Sequence, residues 1–323
     1  VRISKELYEA AQTAVRDCLA VQPRERVLVV TDEPCRQIGY ALREAARDVG
    51  GEVLLIEMTP RSSNGEEPPN EVAVLMGMVD VVLCPTSKSL THTDARRAAT
   101  ERGARIATLP GITEEVMVRC MSADYNRIAQ RTDRLCRLLE EAETVRVTTP
   151  RGTDIRMPIG GRTPLASSGL LKERGQWCNL PTGEAYVAPV EGGSEGIVVV
   201  DGSMAGIGLI RTPIHITVEA GYATTIEGGD EARQLLALFE PHGHEARNLA
   251  EFGIGTNDRA ILTGVILEDE KVMGTVHIAF GDNMSMGGSV RVASHLDGLL
   301  RSPTVWLDDR VLVAAGAFRL PDF

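Results

Sequence analysis

The chain has 323 residues, 43% of them hydrophobic and 24% charged, with a formal net charge of −11. That composition excludes disorder and collagen-like repeats, and no apolar run reaches the roughly 18 residues of a membrane-spanning helix. The negative balance and the 4% aromatic content argue against nucleic acid or an anionic membrane surface as a partner.

The opening Val1-Arg2-Ile3-Ser4-Lys5 runs straight into an amphipathic pattern. It lacks the charged head and apolar middle of a secretory signal, so a cytoplasmic location is expected. Lys5 to Leu19 reads as a helix, with Leu7, Ala11, Ala14, Val15 and Cys18 on one stripe. Arg26 to Thr31 is a short continuous apolar run, as in a strand buried on both faces. Cys35 to Val49 is helical and stops at Gly50-Gly51; Glu52 to Met58 is a second buried strand. A loop over 59–70 follows, then a strand at Asp80 to Cys84, a helix from about Thr93 to Arg102 and a strand at Arg105 to Leu109. This alternation predicts an α/β domain over 1–143 with a doubly wound parallel sheet. Neither a Gly-x-Gly-x-x-Gly after the first strand nor a Gly-Lys-Ser phosphate loop is present, so nothing marks a nucleotide site there.

Asp124 to Glu143 reads as a long helix, and the texture changes after it. Thr144 to Thr149 and Thr153 to Pro158 form a predicted hairpin around Pro150-Arg151-Gly152. Short strands follow at Ile197 to Val200, Ile214 to Val218, Ala223 to Glu227 and Val272 to Phe280, with one helix at Glu231 to Phe239 and a closing hairpin over 304–313. Residues 144–323 are therefore expected to form a β-rich α+β domain.

The six cysteines, Cys18, Cys35, Cys84, Cys120, Cys136 and Cys178, form no C-x-x-C pair and are expected as free thiols. Histidines concentrate in the second half. His295 and Asp297 are two apart, so a strand would point both to one face, a geometry suited to zinc, manganese or iron. His277 lies in an apolar strand and needs something to satisfy its ring nitrogens. Glu184 reads as a loop carboxylate, and Glu251 as one just ahead of a glycine-rich turn.

Together, Asn179-Leu180-Pro181-Thr182-Gly183-Glu184, the 248–257 stretch Asn-Leu-Ala-Glu-Phe-Gly-Ile-Gly-Thr-Asn, Gly274 to Gly281 and His295-Leu296-Asp297 resemble the M29 family of metallo-aminopeptidases. The resemblance implies five metal ligands, Glu184, Glu251, His277, His295 and Asp297, around two divalent ions (Zn, Co or Mn). It implies hydrolysis of a small peptide or amide at its N-terminus, with Glu251 or Glu184 taking the proton, in a homodimer. One position departs from the family. A tyrosine seven residues after the histidine matching His277 is replaced by Met284, which cannot donate to an oxyanion; either Tyr186, Tyr222 or another donor substitutes, or the substrate is different.

The same fold hosts 2,5-dihydroxypyridine dioxygenases, which resemble the peptidases but use one iron. They keep the H-x-D pair and place a histidine where this sequence has Glu251. The alternative is thus an Fe(II) ring-cleaving enzyme with His277, His295 and Asp297 as its facial triad. The two glutamates favour the hydrolase in that comparison. A metal-binding protein without catalysis is the third possibility.

Overall fold

The computed structural model describes residues 2–321 and 323. The chain forms two compact units, one gathering the chain up to Ala129 with Ser168–Thr182, the other Gln130–Ser167 with Gly183–Phe323. The sequence places a single boundary after residue 143. The contacts divide instead inside the helix Tyr125–Glu140, because Leu135, Leu139 and Ala142 are buried in the core of the second unit.

The first unit is built on a five-stranded parallel sheet. Its order is Glu52–Met58, Arg26–Asp32, Val81–Thr86, Arg105–Pro110 and Trp177–Asn179. Residues 27–32 are buried without interruption, which is what a continuous Val/Leu run in a central parallel strand requires. The helix Arg36–Asp48 buries Ile38, Ala41, Leu42, Ala45 and Ala46, one stripe at helical spacing. The expected doubly wound arrangement is observed. Its edge strand, Trp177–Asn179, comes from far downstream, which local pattern does not reveal. The predicted N-terminal helix is α from Lys5 to Gln12 and widens to a π-helix over Thr13–Cys18. Two helices of 7 residues, Asn70–Met76 and Glu114–Cys120, are too short to declare a period in the sequence.

The second unit carries an eight-stranded and a seven-stranded sheet, and every strand pairing within them is antiparallel. The hairpins expected around 150–152 and 304–313 are both present. The seven-stranded sheet holds, side by side, Glu184–Val187, Leu249–Gly255, Val276–Gly281 and His295–Leu300. Alternation sorts these strands into two faces. Ala185, Val187, Phe252, Ile254, Val276, Ile278, Phe280 and Leu300 belong to the hydrophobic core. The intervening residues, Glu184, Glu251, Gly253, Gly255, His277, Ala279, His295 and Asp297, share the opposite face by register.

None of the six cysteines forms a disulfide. No helix among the described residues is long and apolar enough to cross a membrane.

Candidate metal centre

The register sets the ligand-bearing side chains next to one another. Ala279 pairs with Glu251 on one side and Asp297 on the other, which aligns the two carboxylates across three strands. A bulge between Leu249 and Glu251 shifts the pairing by one residue, so Leu249 stays with the core while Glu251 turns to the site face. Gly253 pairs with His277, and a Cβ there would lie 2.0 Å from His277 Nε2. The glycine is what lets the imidazole lie flat across the neighbouring strand. The glycines at 253 and 255 thus belong to a strand and not to a turn, and Glu184 likewise opens a strand and not a loop.

All five residues singled out in the sequence converge. Glu251 spans both rings: its Oε1 is 3.0 Å from His277 Nε2 and its Oε2 is 3.2 Å from His295 Nε2. Glu184 Oε2 is 3.5 Å from His277 Nε2, and Asp297 Oδ1 is 3.5 Å from His295 Nε2. Two further groups were not legible in the sequence. Glu270 joins His277 and Asp297 as a possible ligand set. Lys271, with its side chain 2% exposed, places Nζ 2.6 Å from Glu184 Oε1 and 2.7 Å from Glu270 Oε1. The run Glu268-Asp269-Glu270-Lys271 looks like a solvated charged turn, yet Glu268, Asp269 and Lys271 are all buried. The usable signal was that charged run directly preceding the Gly274-Thr275-Val276-His277 strand entry.

The surroundings of His295 fix its ring. Nδ1 lies 2.8 Å from the Asp282 carbonyl oxygen, to which it donates, leaving Nε2 toward the carboxylates. Asp282 belongs to the 282–292 loop. That loop is tied down by Glu191, whose Oε1 accepts from Asn283 Nδ2 at 2.9 Å and from Ser289 N at 2.7 Å. Arg162 bonds both Glu191 and the Gly287 carbonyl. Burial works against the Glu191 carboxylate, but these donors hold it down at about 2. Met284, in the same loop, is 49% exposed. Tyr222 packs its ring 4.1 Å from that of His244. His242 and His244 lie in short 3-10 turns, and His215 faces solvent from its strand.

Charge dominates the cluster. Burial alone would pull the His277 imidazolium down, but Glu251, with Glu184 and Glu270, lifts it to about 9. His295 is likewise raised against burial by Asp297 and Glu251. Burial pushes Glu251 up, and the two imidazole bonds outweigh it and hold the carboxyl well below the usual range. Glu270 is pushed up to about 8 by burial, against the pull of Lys271. The carboxylates recruit ring protons as counter-charge; a divalent cation can replace those protons. Carboxylate and imidazole donors of this kind suit zinc, manganese or ferrous iron. The described residues therefore contain the metal-binding groups that a metal cofactor requires.

A family model described as 2,5-dihydroxypyridine 5,6-dioxygenase matches residues 6–320. The chain belongs to this dioxygenase family. A curated 2,5-dihydroxypyridine 5,6-dioxygenase from Pseudomonas putida is 29% identical over 203 residues, 57% of this chain and 57% of that protein. The match thus spans little more than half of the relative's length. Among solved structures, the 2,5-dihydroxypyridine dioxygenase from Pseudomonas putida KT2440 superposes with a TM-score of 0.85 at 22% identity, covering 98% of this chain and 97% of that one. AmpT from Thermus thermophilus superposes with a TM-score of 0.71 at 17% identity, covering 98% and 99%. At these identities the superpositions speak for a shared fold.

The family match overturns the M29 assignment, and the aminopeptidase and hydrolase readings fall with it. AmpT shares the fold, which explains why the motifs point both ways. The family match overrides the weight that the sequence reading put on Glu184 and Glu251.

Proposed function

We propose that the protein is a ring-opening dioxygenase that works with ferrous iron on a hydroxylated pyridine of the 2,5-dihydroxypyridine type. The observation that carries this reading is the family match across residues 6–320. The buried cluster of carboxylates and imidazoles supports it. The Zn, Co or Mn pair expected from the sequence belonged to the hydrolase reading; iron is the metal that goes with the family. Glu251, His295 and Asp297 come within mutual ligand distance and would hold the ion, with His277 bonded to Glu251 from behind. The facial triad expected from the sequence for iron, His277, His295 and Asp297, does not form one close set among the described residues; Asp297 joins each histidine separately.

Bound ferrous iron supplies the redox chemistry that couples dioxygen to an electron-rich ring. The protein's own groups do the rest. The Asp282 carbonyl holds the His295 tautomer, Glu251 fixes the distance between the two rings, and the Glu191–Arg162 pair anchors the loop that carries Asp282. The test is reconstitution of purified protein with Fe(II) and addition of 2,5-dihydroxypyridine. Loss of the ring absorbance in air and none under argon is expected. Equal turnover under argon would end this reading.

A further inference from the structure

The chain has only four lysines, Lys5, Lys88, Lys172 and Lys271, and one of them sits in the metal-binding cluster. Local structure explains how. Gly255 pairs with Glu184 across two strands, and a Cβ at Gly255 would lie 2.1 Å from the Val272 carbonyl oxygen. The backbone at 271–272 therefore passes directly over this glycine. Hydrogen bonds from Asn257 N to Lys271 O, 2.9 Å, and from Lys271 N to Glu268 O, 2.9 Å, hold it there. The Lys271 ammonium is thereby fixed between Glu184 and Glu270.

Among the described residues, three overlapping sets of side chains could each hold an ion: Glu184, Glu251 and His277; Glu251, His295 and Asp297; and Glu270, His277 and Asp297. Lys271 bonds an acid of the first set and an acid of the third. Its ion pairs, with Glu184 and Glu270, involve no member of the second. An ammonium and a divalent ion compete for the same carboxylate oxygens and repel each other strongly away from bulk water. One divalent ion and the ammonium nearly balance the four carboxylates of the cluster, Glu184, Glu251, Glu270 and Asp297. A second divalent ion beside the ammonium would leave buried positive charge in excess.

We propose that the Lys271 ammonium takes the place of a second cation, satisfying Glu184 and Glu270 and confining the exchangeable ion to Glu251, His295 and Asp297. The proposal rests on the cluster holding a metal, as in the function above, and not on which reaction that metal serves. It makes Lys271 a positioning residue whose charge sets the number of ions.

The test is metal stoichiometry of the full chain, titrated with Mn(II) as a redox-silent probe. Wild type is expected to take one ion per chain and Lys271→Met two, because the methionine frees both acids. Glu184→Gln keeps one ion per chain, with an affinity loss no larger than the about 10–100-fold typical of groups outside the inner shell. Two ions per wild-type chain, an emptied Glu184→Gln, or a folded Lys271→Met that still takes one would each overturn the proposal. Should Lys271→Met fail to fold, the wild-type count and Glu184→Gln decide. Dioxygen uptake on iron-loaded wild type separates the two readings. One ion per chain with no uptake removes the dioxygenase and keeps the role of Lys271; two ions with uptake does the reverse.

Discussion

Among the strands buried along nearly their whole length, Arg26–Asp32 and Leu249–Gly255 differ in what covers them. Val27, Leu28, Val29 and Val30 are apolar on both faces, and the helices Arg36–Asp48 and Asn70–Met76 pack against their strand. Leu249–Gly255 is apolar on one face only. Its other face presents Glu251, Gly253 and Gly255, covered by the His277 ring and by the backbone of 271–272. The first strand is buried by the hydrophobic effect on both sides. The second uses that effect on one side to hold a charged cluster on the other. The difference teaches that a fully buried strand can still carry a site when glycines make room for polar groups from its neighbours.

The two faces should therefore fail in different ways. The largest effect is expected at the ligands: His295→Ala or Asp297→Ala should empty the site of bound ion. Metal analysis beside thermal melts checks this, and retained metal in both variants would remove these residues from the centre. Gly253→Ala comes next. Its Cβ would displace the His277 ring, and a loss of metal affinity of about 10–100-fold is expected, by analogy with disturbed outer partners of metal sites.

On the opposite face the sign of the comparison reverses. Phe252→Ala should cost about 3–5 kcal/mol of stability, and Leu28→Ala in the first unit about 2–5 kcal/mol. Both should leave metal affinity of the folded chain unchanged. Denaturant melts paired with metal titration separate the two outcomes; a Phe252→Ala variant that loses metal without losing stability would collapse the distinction between the faces.

The smallest effect is a pH dependence of the metal-free protein. His277 is raised to about 9 in the folded chain, against about 6.5 unfolded. A raised imidazole contributes stability that is complete below about pH 6.5 and is lost as pH climbs through about 9. Melting temperature of chelator-treated protein should fall across that window, and Glu251→Gln should flatten the fall. Metal affinity should rise over the same range as ring protons leave. A metal-free protein whose stability is level from pH 6.5 to 9 would contradict the charge assignment.

Much of this was legible in the sequence. The Val/Leu runs and the helical stripes specify the parallel sheet, because central parallel strands need apolar residues on both faces. The H-x-D spacing places His295 and Asp297 on one face wherever a strand forms. Glu251 and His277 could be nominated individually, but local pattern favoured a turn where Gly253 and Gly255 belong to a strand; only the pairing with His277 and the crossing of 271–272 show why glycine is there. Glu270 and Lys271 escaped because a run of consecutive charged residues normally marks a solvated surface. Ligand identity misled on hydrolase against dioxygenase: Glu184 and Glu251 pointed to the hydrolase, but the same donor types serve several metals.

The central claim, a metal-dependent dioxygenase centred on Glu251, His295 and Asp297, is tested most directly by dioxygen stoichiometry. An oxygen electrode would follow iron-loaded protein with a limiting amount of 2,5-dihydroxypyridine, alongside Asp297→Ala. The account predicts one dioxygen consumed per ring opened by wild type and none by the variant. Ring opening without dioxygen uptake, or uptake that survives Asp297→Ala, would contradict it.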